Sequence, residues 1–326
     1  MDYYKDKLEI LLKGLMILIL LVTSADAATW TVAPSSGPGI DYTRIQDAIN
    51  AANTGDTIRV NSGTYYENVD AKKRLTLQGK DTGSGLPVVN AGGSGSAITL
   101  SADSCTLQNF MARNSSSGNS GIKVASSYNT ISGNIATNNY YGIDLDSSSG
   151  NTISGNTATG NIGGIDLNSS GSNTISGNTA TGNGIGIVLG SSSSNNDISD
   201  NTVTGNRIGI VLDSSSGNTI SDNSATGNSY GIYIDSSSNN NTVSGNNATG
   251  NFQDGIYIVK SSNNVISGNT ATGNGASGID LYRSSGNTVS GNTANGNSQC
   301  GIRIFGPSTG NSISNNFANG NSWGGI

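Results

Sequence analysis

The most regular feature of the chain is a hydrophobic–polar pattern that repeats every 21–24 residues. A Gly-Ile element marks each copy, beginning at Gly121, Gly142, Gly164, Gly186, Gly209, Gly231, Gly255, Gly278 and Gly301. Three short segments make up a copy: Gly-Ile-x-Leu, Asn-Thr-Ile-Ser-Gly-Asn and Asn-Thr-Ala-Thr-Gly-Asn. Apolar and polar residues alternate within each segment, which predicts a short strand with its apolar side chains directed inward.

This period predicts a solenoid, because so short a unit buries its apolar residues only by stacking on its neighbours. Three strands per coil, stacked in register, predict an all-β, right-handed, single-stranded parallel β-helix with three parallel sheets. The repeats lack the 3.6-residue period of helices and the longer Leu consensus of a leucine-rich-repeat horseshoe. The sequence therefore predicts one elongated domain.

Asparagines recur at equivalent turns of the predicted coils. They are Asn156, Asn178, Asn201, Asn223, Asn246, Asn269, Asn292 and Asn316. Stacked Asn side chains hydrogen-bond along an axis as an amide ladder, and Asn tolerates the left-handed turn conformation. We interpret these columns as structural rather than as a ligand site.

Residues 28–110 depart from the regular pattern that occupies residues 111–326. Ile45, Ile49 and Ala52 have helical spacing, which predicts a short amphipathic helix that caps the open end of the core. The last coil, residues 311–326, carries apolar residues with no cap after them. An uncovered parallel edge predicts end-to-end self-association through this coil.

The first 27 residues have the features of a signal peptide. Lys5, Lys7 and Lys13 precede an apolar run at residues 15–22, and Ala25-Asp26-Ala27 matches a small-x-small cleavage pattern. The alternative is a single N-terminal membrane anchor. With cleavage, residues 28–326 form a secreted or cell-surface domain that has no membrane segment.

Charge and composition exclude several classes of function. The net charge is −6 and no basic patch stands out, so neither nucleic acid nor an anionic membrane surface is an expected partner. The chain has no histidine, which excludes a Ser/His/Asp triad and His-ligated metals. Cys105 and Cys300 are predicted to lie about eight coils, or roughly 40 Å, apart, beyond disulfide reach.

Two stretches carry a resemblance to known proteins. One is Ile45-Gln-Asp-Ala-Ile with the following Gly55-Asp-Thr-Ile-Arg-Val and Gly63-Thr-Tyr-Tyr-Glu-Asn, and the other is the run of Asn-Thr-Ile-Ser-Gly-Asn coils. The chain resembles secreted NosD-like and carbohydrate-binding/sugar-hydrolase (CASH) β-helix proteins of prokaryotic cell surfaces. This resemblance implies the fold, which carries lyases, hydrolases, epimerases, adhesins and inert stalks. Copper binding is not expected, because Met111 is the one methionine in residues 28–326 and the two cysteines are far apart.

The Gly-Ile-x-Leu segment is the part of the repeat whose outward residues vary. The predicted ligand-binding residues are Asp144, Asp146, Asp166, Asp213, Tyr233, Asp235, Tyr257, Asp280, Tyr282 and Arg303. Aromatic rings stack on sugar faces, and Asp and Arg hydrogen-bond to hydroxyl groups. We therefore expect a non-catalytic, glycan-binding or adhesive module whose partner is a polysaccharide or cell-surface glycan.

Four other interpretations remain open. Asp144, Asp146 and Asp166 lie on adjacent predicted coils and could bind Ca²⁺ or hold one carboxyl of raised pKa. With Arg207 or Lys123 as base, they could serve a lyase or epimerase that acts on an acidic glycan. The same aspartates could simply be solvated charges on an exposed sheet. A regular Thr lattice, which includes Thr179 and Thr181, predicts ice binding as a minor alternative.

Overall fold

The computed structural model describes residues 27–326, and these form an all-β parallel solenoid of about 11 turns with one short helix. The predicted fold class is confirmed. The predicted signal segment lies outside the described residues except for Ala27. Within residues 27–326, no helix is long and apolar enough to cross a membrane.

The first sheet contains the Thr-Ile-Ser segments. Its 13 parallel strands are Thr29–Val32, Thr57–Asn61, Thr76–Lys80, Thr106–Gln108, Thr130–Ser132, Thr152–Ser154, Thr174–Ser176, Asp197–Ser199, Thr219–Ser221, Thr242–Ser244, Val265–Ser267, Thr288–Ser290 and Ser312–Ser314. Their order in the sheet is their order in the chain, so each coil stacks directly on the one before it.

The second sheet contains the Thr-Ala-Thr segments. Its eight strands are Thr64–Tyr65, Val88–Asn90, Met111–Arg113, Ile135–Thr137, Thr157–Thr159, Thr179–Thr181, Thr202–Thr204 and Ser224–Thr226. Single bridges continue this sheet from Ser224 to Phe317. The outward threonines form the two predicted columns, and the Thr181 and Thr204 hydroxyl oxygens lie 3.2 Å apart. The ice-binding alternative stays a prediction.

The third sheet contains the Gly-Ile-x-Leu segments. Its 11 strands are Val69–Ala71, Ile98–Leu100, Ser120–Val124, Tyr141–Asp146, Gly163–Asn168, Ile185–Gly190, Ile208–Asp213, Tyr230–Asp235, Ile256–Val259, Ile279–Tyr282 and Ile302–Phe305. These strands are longer than those of the other sheets between residues 120 and 235, where most span six residues.

The core is a set of in-register apolar stacks, one or two from each sheet. In the first sheet Ile153 pairs with Ile175, which pairs with Ile198, and all three are fully buried. Ala158 and Ala180 stack in the same way in the second sheet. The inward positions predicted from the alternating pattern are confirmed.

The predicted asparagine ladder is also confirmed, with one correction. Asn156 donates from its backbone N–H (2.9 Å) and from Nδ2 (3.0 Å) to Oδ1 of Asn178 on the next coil. The same Nδ2 reaches back to the Ile131 carbonyl at 2.9 Å. The ladder residues do not adopt the left-handed conformation expected of them. Gly155, the preceding residue, has that conformation with φ of 62°, and Gly tolerates it without strain.

The glycine of the Gly-Ile element allows adjacent coils to approach closely. A Cβ atom on Gly164 would lie 2.4 Å from the Gly186 carbonyl oxygen. No larger residue fits there without moving the backbone. The Gly-Ile signature is therefore a packing requirement as well as a repeat marker.

The N-terminal end of the solenoid is covered as predicted. A helix at Ile45–Ala51 buries Ile45, Ala48 and Ile49 against the first coils. Glu67 accepts hydrogen bonds from the first two helical N–H groups, including that of Ile45 at 2.8 Å. Cys105 and Cys300 are both free thiols.

Candidate functional site

The outward residues of the third sheet form one continuous column along the solenoid axis. The strand registers align Lys123, Asp144, Asp166, Val188, Val211, Tyr233, Tyr257, Asp280 and Arg303. In the first two sheets the corresponding columns are mainly Thr and Ser. We call the outward surface of the third sheet from Lys123 to Arg303 the variable face.

A second column on this face lies two residues further along each strand. It places Asp146 beside Asn168, Asp213 beside Asp235, and Tyr282 beside both Val259 and Phe305. The predicted ligand-binding residues therefore share one surface. They do not converge on one point, because they span eight coils.

A third column, formed by the residue before each Gly-Ile glycine, was missed by the sequence analysis. It contains Ser120, Tyr141, Gly163, Ile185, Ile208 and Tyr230. Strand alternation places this position on the inner side, two residues before a buried Ile. In the structure Ser120 donates from Oγ to Oδ2 of Asp144 at 3.0 Å, so its side chain contacts the outer column.

Tyr141, Asp144 and Asp166 form the carboxylate cluster at the N-terminal end of the variable face. Asp144 pairs with Asp166 across adjacent strands and is buried, contrary to the solvated charge that an outward position would give. Burial raises the pKa of Asp144. Burial, together with the neighbouring Asp144, raises the pKa of Asp166 to about 7. The Tyr141 ring lies over Gly163, where a side chain would otherwise stand.

Asp146 has a different environment from its two neighbours. Lys123 Nζ lies 2.9 Å from Asp146 Oδ2, and this ion pair lowers the pKa of Asp146 and raises that of Lys123. Asp146 is therefore an ordinary ionised carboxylate with a partner. Across residues 27–326, no three acidic, His or Cys side chains converge in a group that could hold a metal ion. Calcium binding by Asp144, Asp146 and Asp166 stays a prediction.

Three tyrosine rings form an aromatic cluster further along the same face. Tyr230 and Tyr257 are stacked, with centroids 5.7 Å apart and ring planes 14° from parallel. Tyr233 lies 5.6 Å from Tyr230 and 5.4 Å from Tyr257. Tyr233 also donates from its hydroxyl to Oδ2 of Asp235 at 3.1 Å. Asp213, at the neighbouring position, is exposed.

Two buried aspartates lie beside these rings. Asp254 accepts one hydrogen bond, from the backbone N–H of Ser277 at 2.8 Å, and burial raises its pKa to about 6. Asp280 is fully buried and paired with Arg303, whose Nε lies 3.0 Å away. Burial raises the pKa of Asp280 although Arg303 opposes the shift.

Aromatic and basic side chains continue to the end of the face. Tyr282 and Phe305 are stacked at 4.5 Å, the Arg303 guanidinium lies 4.4 Å from the Phe305 ring centroid, and Arg283 lies 5.0 Å from that of Tyr282. Arg303 is held by three groups: Asp280, Gln299 and the Phe305 ring. Its position is fixed before any ligand arrives.

Arg207 lies apart from the aspartates with which it was grouped. It lines a surface depression of about 290 Å³ together with Ile208, Ser229, Tyr230 and Gln253. The strand registers place this coil two coils beyond Asp166. Arg207 is therefore a neighbour of the aromatic cluster, and Lys123 is the base that lies beside Asp144 and Asp146.

Comparisons with protein families agree with this architecture. Residues 191–323 match the family described as periplasmic copper-binding protein (NosD), and residues 88–248 match the right-handed beta helix region. The donor set of this chain does not fit copper. It contains no histidine, and Cys105 is buried and hydrogen-bonds to the carbonyl groups of Lys73 and Ala102.

Several solved structures share the fold. The A-module of a mannuronan C-5 epimerase from Azotobacter vinelandii is 20% identical, with a TM-score of 0.65 over 86% of this chain and 91% of that one. The DFA-IIIase of Arthrobacter chlorophenolicus A6 without its lid is 13% identical, with a TM-score of 0.67 over 89% and 94%. The Dettilon tailspike protein is 18% identical, with a TM-score of 0.64 over 83% of this chain and 63% of that one. No curated protein matches the chain in sequence.

Proposed function

This chain is a NosD-like, right-handed β-helix repeat protein, and we propose that its variable face binds a polysaccharide. The observation that carries the proposal is the aromatic cluster of Tyr230, Tyr233 and Tyr257, which replaces the small hydroxyls of the other two sheets. The mannuronan epimerase, which shares the fold, is named for a polysaccharide substrate and supports this choice.

The chemistry of the face suits a sugar polymer. Aromatic rings offer large apolar surfaces with polar edges, on which the faces of sugar rings stack. Asp213 and Asp235 accept hydrogen bonds, and Arg283 donates them. Successive coils lie about 4.8 Å apart, so a linear ligand along the axis would meet a series of rings and charged groups on neighbouring coils. We further propose that the protein works outside the cytoplasm, which the predicted signal segment and the periplasmic family model support.

A glycan array and matched variants test this proposal. Tyr233→Ala and Tyr257→Ala each remove a stacking ring, and we expect each to weaken binding by about tenfold. Thr181→Ala removes an outward side chain of the second sheet and should leave affinity unchanged. Equal losses of affinity in all three variants, or no loss in the tyrosine variants, would mean that the binding site lies elsewhere.

A second candidate is a lyase or epimerase at the carboxylate cluster. The observation that favours it is the raised pKa of Asp166, which is about 7. Tyr141 is a neighbour of this carboxyl group. A carboxyl group of this pKa exchanges a proton readily at neutral pH. As a neutral acid it would donate a hydrogen bond to the carboxylate of a uronic acid, which makes the adjacent C–H bond easier to deprotonate. Ion pairing with Asp146 raises the pKa of Lys123 and burial raises that of Tyr141, so both hold their protons at neutral pH, and the ionised carboxylate of Asp146 is the neighbouring group that could accept the C–H proton.

This candidate is tested on polyuronates with residues 28–326. Elimination produces an unsaturated sugar that absorbs in the ultraviolet, and epimerisation exchanges the C5 proton for solvent deuterium. Asp166→Asn should abolish either signal, whereas Asp197→Asn, on the first sheet, should retain it. Loss of activity with EDTA would support the calcium prediction. No turnover of any polyuronate by the wild-type protein would exclude this candidate and leave binding as the function.

A further inference from the structure

The C-terminal half of the variable face contains a second polar site, which shares two rings with the aromatic cluster and adds buried charged groups. We call it the tyrosine–aspartate site, and its members are Tyr230, Tyr257, Asp254, Asp280 and Arg303. Five steps in the strand register separate Asp280 from Asp166, a distance of about 24 Å. The site is therefore separate from the carboxylate cluster.

The charged groups of this site are Asp254, Asp280 and Arg303, and Arg207 lines the depression beside it. Asp254 and Asp280 are 5% and 0% exposed, and Asp280 pairs with Tyr257 across adjacent strands. Burial, and then the charges of the two carboxylates, raise the pKa of Tyr230 and of Tyr257. Arg303 is directed to Asp280, and its Nη1 donates to Gln299. Asp254 receives only a neutral N–H from Ser277. One buried carboxylate is left without a paired cation.

Two buried polar atoms have no hydrogen-bond partner, one on Asp280 and one on Ser277, whose N–H group binds Asp254. They are Oδ1 of Asp280 and Oγ of Ser277, and within the described residues just one other buried side-chain atom, Nε of Arg113, shares this condition. Buried polar atoms are normally paired, so each of these atoms marks a place where a hydrogen-bond partner is missing. Asp280 Oδ1 only accepts hydrogen bonds, which means that the missing group carries N–H or O–H.

We propose that the tyrosine–aspartate site binds an amine-bearing sugar, with its ammonium group against Asp254 and the faces of Tyr230 and Tyr257. This inference rests on the proposed function and names the class of sugar. An aromatic face attracts a cation, and an adjacent buried carboxylate strengthens that attraction. An ammonium group also brings three donors. The depression at Arg207, Tyr230 and Gln253 gives a sugar ring room beside this site.

The net charge of the chain supports the same choice. A chain of net charge −6 attracts a polycation over a distance and repels a polyanion. A metal ion is a poorer fit than an ammonium group, because the described part of the chain groups no three metal-binding side chains of the acidic, His or Cys type. An ammonium group needs fewer anionic partners, since the tyrosine faces share in holding it.

The test compares two oligomers that differ at the sugar nitrogen, where acetylation removes the positive charge and adds an acetyl group. Calorimetry measures the affinity of glucosamine hexamer and of its N-acetylated counterpart, just above the pKa of Asp254. We expect the amine form to bind about tenfold more tightly or better. A hexamer with trimethylated amines carries its charge at every pH, and its affinity should rise as pH increases through about 6, where Asp254 ionises.

Matched variants locate the effect. Asp254→Asn should remove the preference for the amine, whereas Asp222→Asn, which removes an exposed carboxylate near the first sheet, should keep it. Tyr257→Leu should weaken the trimethylated hexamer as well. Equal affinity for the amine and acetylated hexamers, or equal losses in the two Asn variants, would overturn the inference. If other polysaccharides bind without an amine preference, the proposed function stands alone, and if no polysaccharide binds, both fail.

Discussion

At the residue scale, the chemistry of the variable face depends on what covers each aspartate. Asp144, Asp146 and Asp166 are close together on two adjacent strands, yet their pKa values shift in different directions. Asp146 reaches Lys123 and stays ionised, whereas Asp144 and Asp166 are covered and repel each other's charge. Neighbouring carboxyl groups with different pKa values can act as the acid and the base of one reaction.

The raised pKa of Asp166 predicts how the stability of the protein depends on pH. The pKa of Asp166 is about 7 in the folded state and 3.8 in the unfolded state. Its contribution to the free energy of unfolding is therefore fully present below about pH 4 and is lost as pH rises through 7. Asp166→Asn removes this loss. We expect the variant to gain about 2–4 kcal/mol over the wild type at pH 8 and little at pH 4. Denaturation midpoints across this range measure the difference.

The control for Asp166 is Asp146→Asn, whose pKa shift has the opposite sign. The folded pKa of Asp146 is lowered by Lys123, so its contribution is present above the unfolded value and lost as pH falls through the folded one. Asp146→Asn should therefore lose stability at neutral pH. The assigned pKa would be contradicted if the difference in free energy of unfolding between the wild type and Asp166→Asn did not change with pH.

The columns of Asp144 and Tyr233 were predictable from the sequence, because a fixed repeat length determines which residues stack. The burial of Asp144 and Asp280 was not, since it depends on which neighbouring side chains fold over them. Tyr141 and Tyr230 were missed because the alternating pattern places them inward. Variation between repeats singled out the x position of Gly-Ile-x-Leu. The same criterion would have identified these two tyrosines, because the residue before the glycine also varies between repeats.

At the element scale, each strand is too short to be stable alone, and the ladders at its ends hold it in register. Asn178 accepts two hydrogen bonds from Asn156 and donates to the Ile153 carbonyl (2.8 Å) and to Asn201 (3.0 Å). The side chain is buried, so water cannot replace these bonds. A three-residue strand therefore depends on the asparagine that follows it.

Replacing Asn178 tests this dependence. Asn178→Ala leaves the Asn156 N–H group without a partner and removes the side-chain hydrogen bonds to the Ile153 carbonyl and to Asn201, and we expect a loss of at least about 3 kcal/mol. Thr179→Ala, at the next residue and pointing outward, should cost less than about 0.5 kcal/mol. Thermal and denaturant unfolding compare the two variants. A similar small loss in both would mean that the ladder is not a main source of stability.

At the scale of the whole molecule, the two ends of the solenoid differ. The helix at Ile45–Ala51 covers the first coils, whereas among residues 27–326 the strand Ser312–Ser314 pairs on one side, with Thr288–Ser290. The last coil exposes 64% of Phe317 and 70% of Trp323. A parallel strand with one unpaired edge, beside exposed aromatic rings, accepts a further strand.

We therefore expect residues 28–326 to associate through the last coil, tail to tail or head to tail. Sedimentation velocity over a concentration series should show a growing dimer or larger species. Phe317→Lys with Trp323→Lys should reduce it, because lysine on an edge opposes strand addition. Tyr66→Lys adds a charge at an equally exposed aromatic residue near the other end and should leave tail-to-tail association unchanged. A protein that is strictly monomeric at high concentration would contradict this prediction, and would show that one parallel edge is not sufficient to recruit another coil.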